Sequence, residues 1–143
     1  MIIEVVGPRL LGPAVVLAIA IIVKGYADVG DAFSAAVIVA LAIGLRYVSL
    51  GRERAEQGLP ILRHASTITA IGLLLALGVG FLGVVRGDPP FTHLPAAGET
   101  VITIGSLELI TAVAFDIGLF LLVTGALVVL MHHLAELVAG RDQ

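Results

Sequence analysis

Apolar residues fall into four long runs separated by short polar breaks. The runs cover about residues 8–23, 32–50, 66–85 and 109–131, with Arg46 late in the second and Asp116 early in the fourth. A helix needs roughly 20 such residues to cross a hydrocarbon core ~30 Å thick. The predicted fold is therefore all-α and membrane-integral, a single domain over residues 1–143 with four transmembrane helices. Pro13 falls in the first turns of the first run, where a missing N–H costs least. That run reads as a retained span. Glu4 and Arg9 do not form a basic leader, and Ala18-Ile19-Ala20 lies inside the run rather than after it.

The segment between the third and fourth runs is the longest connection. Arg86-Gly87-Asp88-Pro89-Pro90 is a turn-rich break. Thr100 to Ile104 alternates as a strand would. The reading there is a short hairpin or an irregular loop that orders against a partner.

Composition supports lipid as the main solvent. The chain has 143 residues, 59% hydrophobic and 13% charged, against about 25% charged in soluble domains. A net charge of −3 argues against nucleic acid, which calls for a basic face. The absence of cysteine removes disulfides and thiolate chemistry. No nucleophile–base set, phosphate loop or metal-ligand cluster is visible, so neither an enzyme nor a cofactor or metal is expected.

Four spans bring both termini to one side. Arg9, Arg52, Arg54, Arg63 and Arg141 share that side, whereas Lys24 and Arg86 stand on the other. The positive-inside rule places both termini and the Arg52–Arg63 connection in the cytoplasm.

Helices in lipid associate where small residues let backbones approach. The second run carries Ala32, Ala36, Ala40 and Gly44 at four-residue spacing, and the third carries Gly72, Ala76 and Gly80. The fourth carries Ala114, Gly118, Gly125 and Ala126. These ridges pack within one bundle or meet another subunit.

Asp116 is the strongest candidate for chemistry. From Ile117 to Met131 a helix is only about 22 Å long, so the span must recruit residues around Asp116. A carboxylate there costs roughly 2.5–3.5 kcal/mol on insertion scales. It is either satisfied by backbone or by a hydroxyl such as Thr111, or it lines a hydrated ion or proton path. Glu108 extends an acidic line outward if the helix reaches that far. Asp31 directly precedes the second run and reads as an N-cap, with a place at an outer cation vestibule as the alternative. Asp28 and Gly30 read as a turn. His132 and His133 are adjacent and do not share a helical face, which speaks against joint metal ligation. Glu136 is placed to pair with His132 at i+4.

Two stretches carry a family resemblance. Val29-Gly30-Asp31-Ala32-Phe33-Ser34-Ala35-Ala36-Val37-Ile38 and Arg46-Tyr47-Val48-Ser49-Leu50-Gly51 resemble the second helix of MrpB/MnhB subunits of multi-subunit Na⁺/H⁺ antiporters. Phe115-Asp116-Ile117-Gly118-Leu119-Phe120 resembles that family's signature in the last helix. The family usually has glycines around the Phe33 position, where this chain has Ala32 and Ala36. The resemblance implies an accessory subunit of a hetero-oligomeric cation/proton antiporter in the plasma membrane, with other membrane subunits, Na⁺ and H⁺ as partners. It implies a contribution to assembly and to the sodium path, while larger chains move protons. Asp116 matches the family aspartate and is the leading ion-path residue. Glu108 and Asp31 follow it, and Phe33 is a helix-packing position. A structural subunit of a related membrane hydrogenase or complex I-like assembly, and a small stand-alone homo-oligomeric transporter, are the competing readings.

Overall fold

Alanine and glycine at helical spacing decide how this chain packs. The computed structural model describes residues 2–24, 31–85, 87, 89–91, 102–104, 107–109 and 111–140. Asp28, Gly30, Arg86, Asp88, Thr100, Val101 and Arg141 lie outside the described residues. The elements are α1 (Ile2–Lys24), α2 (Asp31–Gly58), a 3₁₀ turn (Pro60–His64), α3 (Ala65–Val85), β1 (Ile102–Ile104), β2 (Leu107–Leu109) and α4 (Thr111–Ala139). All four α-helices are long and apolar enough to cross a membrane. The strands pair antiparallel, with Ile102 opposite Leu109 and Ile104 opposite Leu107. The long connection therefore contains a hairpin.

Packing runs in the order α1–α2–α4–α3, each helix meeting the next. Ala32, Ala36, Ala40 and Gly44 are all buried on α2. Met131 of α4 lies 3.7 Å from the position a Gly44 side chain would occupy. Thr124 of α4 donates a hydrogen bond to the Ala36 carbonyl at 3.5 Å. The closest crossing joins α3 to α4. A Cβ on Gly118 would stand 2.8 Å from the Ala76 nitrogen, and one on Gly72 would stand 2.7 Å from the Gly118 carbonyl oxygen. Gly125 faces the backbone of Ala65 and Thr69 in the same way. The Thr69 hydroxyl bonds back to the Ala65 carbonyl at 2.8 Å, which keeps its polar atom satisfied inside the crossing.

The helices outrun the apolar runs at three places. α1 encloses both Pro8 and Pro13. Proline is tolerated in spanning helices because neighbouring structure re-satisfies the freed backbone, and Gly7 brings α1 against Ser49 of α2 at this point. α4 continues through His132-His133 to Ala139, because histidine interrupts apolarity without breaking a helix. α2 continues past its apolar part but breaks at Gly51, whose φ of 75° and ψ of 166° suit glycine alone. Beyond that break the stretch Arg52–Gly58, too charged for hydrocarbon, folds back on the helix. Arg46 Nε donates to the Ala55 carbonyl at 3.4 Å, and Ala55 is fully buried.

Burial within the chain is uneven. Only 11% of the apolar window of α1 and 17% of that of α4 are buried. Few of their residues are fully buried, so both helices keep apolar surface for lipid or for other proteins.

Candidate functional site

α4 carries the polar groups at both ends of the span. Asp116 lies in its second turn, and His132 stands 16 residues further on, about 24 Å along the axis. Asp116 is half-buried and partnered within the fold. Its neighbour Phe115 meets the ring of Phe91 edge-on, 6.0 Å between centroids. Phe91 adopts a φ of 63°, donates its N–H to the Gly80 carbonyl at 2.6 Å and lays its ring over Gly80. It also sits 5.8 Å from Phe81. This staple ties the connection after α3 to both helices beside Asp116.

The other sequence-predicted residues scatter around that end. Asp31 is the first residue of α2, one position inside the helix, where its charge suits the positive helix end. Glu108 lies on β2, in register with Thr103. α4 begins only at Thr111, so Glu108 and Asp116 do not share a helical face. Phe33 is exposed at 54% and lines a hollow beside Ala40 of the buried small-residue ridge.

The second polar centre is Glu56, a charged residue only 8% exposed. Gly51 turns the chain so that its carboxylate comes back to α2 and across to α4. Oε1 accepts from Arg52 Nε at 3.2 Å and from Tyr47 OH at 3.4 Å, and lies 2.8 Å from His132 Nδ1. Arg63 Nε stands 3.9 Å from Oε2. Arg52 also donates to Glu136, and Glu136 lies 3.6 Å from His132 Nε2. His133 turns away, its Nδ1 2.8 Å from the Val129 carbonyl. The i+4 pairing of His132 with Glu136 was legible in the sequence. Glu56 was not, because its partners on α4 are distant along the chain and nothing local marks it. The one available signal was Gly51 ahead of a charged stretch.

Burial alone raises the Glu56 carboxyl pKa. The hydrogen bonds from Arg52 and His132, and then their charges, outweigh it and hold the pKa below the ordinary carboxylate value. A lowered folded pKa means that the unfolded chain binds the proton more readily. The stabilisation is therefore complete above the ordinary carboxylate pKa and is lost as pH falls through the lowered one. Glu56→Ala is expected to cost about 1–3 kcal/mol at neutral pH by stripping charged partners of their acceptor. Thermal unfolding of wild type and variant should differ at neutral pH and converge in acid. A difference that persists unchanged in acid would show that the carboxylate's charge is not the source.

Between the two centres lies an apolar cavity. All four helices and the 3₁₀ turn converge on its 270 Å³, lined by residues such as Val39, Ile68, Phe120 and Val128, with Thr124 its one hydroxyl among the described residues. A cation needs polar partners or water at every step, and this cavity offers almost none.

Four helices long and apolar enough to cross a membrane, with acidic groups near their ends, make this chain one of the multi-pass membrane class. Residues 2–129 match the family model described as "Domain related to MnhB subunit of Na+/H+ antiporter", and the chain belongs to this family. It is 30% identical over 118 residues to the B subunit of a Na(+)/H(+) antiporter from Alkalihalophilus pseudofirmus, covering 78% of this chain and 76% of that one. It is 32% identical over 120 residues to the probable K(+)/H(+) antiporter A/B subunit of Rhizobium meliloti. That match takes in 84% of this chain but only 12% of the much longer relative.

Proposed function

We propose that this chain is an accessory subunit of a multi-subunit cation/proton antiporter, in which it joins larger membrane subunits and contributes Asp116 to the cation path. The observation that carries this reading is the family match over residues 2–129, and the apolar cavity between Asp116 and Glu56 supports it. The lining of that cavity offers a cation few polar partners, which supports a path from Asp116 along an interface with another subunit. The relative whose name combines A and B types in one polypeptide supports an A-type partner as the immediate neighbour. Sodium is the cation favoured by the relative named for Na(+)/H(+) exchange. The arginine distribution supports cytoplasmic termini in the plasma membrane. Asp31, and Glu108 on the hairpin, belong to the outer mouth in this arrangement, where they attract cations.

Affinity purification of the tagged chain from its native membrane tests the proposal. Several other hydrophobic subunits should co-purify, and everted vesicles lacking this chain should lose Na⁺-driven proton movement. The chain reconstituted alone should give no exchange. Exchange by the isolated chain would overturn the proposal.

A further inference from the structure

The seam between α2 and α4 holds a groove that the proposed function does not use. Its deep part is a hollow of 420 Å³ with Phe33, Ala40, Leu122 and Met131 among its walls. Met131 also lines a second hollow of 540 Å³, which continues past Val48 and Leu134 to Gly51 and Arg52. Gly51 and Arg52 in turn line a third, polar hollow of 860 Å³ that includes Arg54 and Arg63. The three hollows share residues and form one track, apolar within the span and basic at its end.

The charges at that end do not cancel. The Glu56 carboxylate is already taken by Arg52, His132 and Tyr47, and Arg63 approaches it only to 3.9 Å. Arg54 has no ion pair among the described residues. Glu53 is the remaining carboxylate in the hollow, and Glu136 shares Arg52 from α4; against these three carboxylates stand Arg52, Arg54, Arg63 and Arg46, whose guanidinium reaches Ala55. Gly51 marks the end of the apolar part of α2, which puts the arginines at headgroup depth. A partner helix, about 10 Å across, needs small residues along both walls to approach. Here Phe33, Leu41 and Leu122 stand beside Ala40 and Ala126, a bulky, irregular slot that suits a flexible hydrocarbon chain. We propose that the α2–α4 groove binds an anionic phospholipid, with an acyl chain along Phe33–Met131–Val48 and the phosphate at Arg54 and Arg63.

The test uses the purified complex, stripped of loosely held lipid and incubated with vesicles of phosphatidylglycerol or of phosphatidylcholine. Lipid retained after washing is counted per chain by mass spectrometry. Phosphatidylglycerol should be retained at one site per chain and phosphatidylcholine should wash off. Inorganic phosphate alone should not displace the lipid. The double variant Arg54→Gln/Arg63→Gln should retain about tenfold less, and Arg54→Lys/Arg63→Lys should restore most of it. Ala126→Phe, which fills the slot and leaves the arginines in place, should also lower retention. Equal retention of both lipids, or no loss in the glutamine and Ala126→Phe variants, would overturn the proposal. Displacement by phosphate would reduce it to a free-anion site. A disulfide from Ala126→Cys to a cysteine in a neighbouring subunit's helix would show that protein fills the groove.

Discussion

Gly118→Leu is expected to separate α4 from α3 and to prevent the subunit from entering its complex. The position sits where two backbones touch. Even a single carbon on Gly118 would stand 2.8 Å from the Ala76 nitrogen and 3.1 Å from the Gly72 carbonyl oxygen. Those atoms belong to a helix backbone and cannot rotate aside. Overpacking of this kind costs about 1–3 kcal/mol where side chains give way, and more where they cannot. Association in lipid has no hydrophobic reserve to absorb the loss, since it rests on close packing itself. Gly72→Leu should behave alike, because its added carbon meets the Gly118 carbonyl from the other side. Gly78 provides the control. It lies on the same helix α3 with open space around its Cβ position, and Gly78→Leu should assemble normally. The assay is recovery of the intact complex from detergent. Assembly of Gly118→Leu at the wild-type level would mean that this crossing does not hold the fold together.

Asp116→Asn is expected to leave assembly intact and to lower cation/proton exchange by tenfold or more. Asparagine keeps the shape and most of the hydrogen bonding, and removes only the charge. A carboxylate at this depth costs roughly 2.5–3.5 kcal/mol on insertion. If a passing cation offsets that cost, losing the carboxylate forfeits stabilisation of similar size, and each ~1.4 kcal/mol is a factor of ten in rate. Exchange in everted vesicles, measured on complexes shown to be complete, separates this from a packing role. Full exchange by Asp116→Asn would remove the residue from the path and leave it as a helix–helix contact.

Much of the architecture could be read from residue order alone, and particular residues show why. The buried ridges of α2 and α3 are the Ala32–Gly44 and Gly72–Gly80 series, because four-residue spacing keeps one helical face uniform. Thr100–Ile104 announced extended backbone, and the hairpin uses Ile102–Ile104. Helix ends were harder. Pro8 and His132 look like boundaries when apolarity is the only guide, yet helical backbone continues across both. Glu56 was invisible because its burial depends on a reversal at Gly51 and on the register of a helix 76 residues away in sequence. Neither condition is local, and a charged stretch after an apolar run reads by default as solvated.

The Phe91 staple also constrains how related sequences can vary. The ring lies so near Gly80 that a Cβ there would come 2.7 Å from its Cδ1 atom. An alanine at that place would evict the ring and release the carbonyl that holds the Phe91 backbone in its left-handed turn. Substitutions at the two positions should therefore travel together in homologues: a side chain at Gly80 accompanied by loss of the aromatic group at Phe91, with the approach to Asp116 left less guarded.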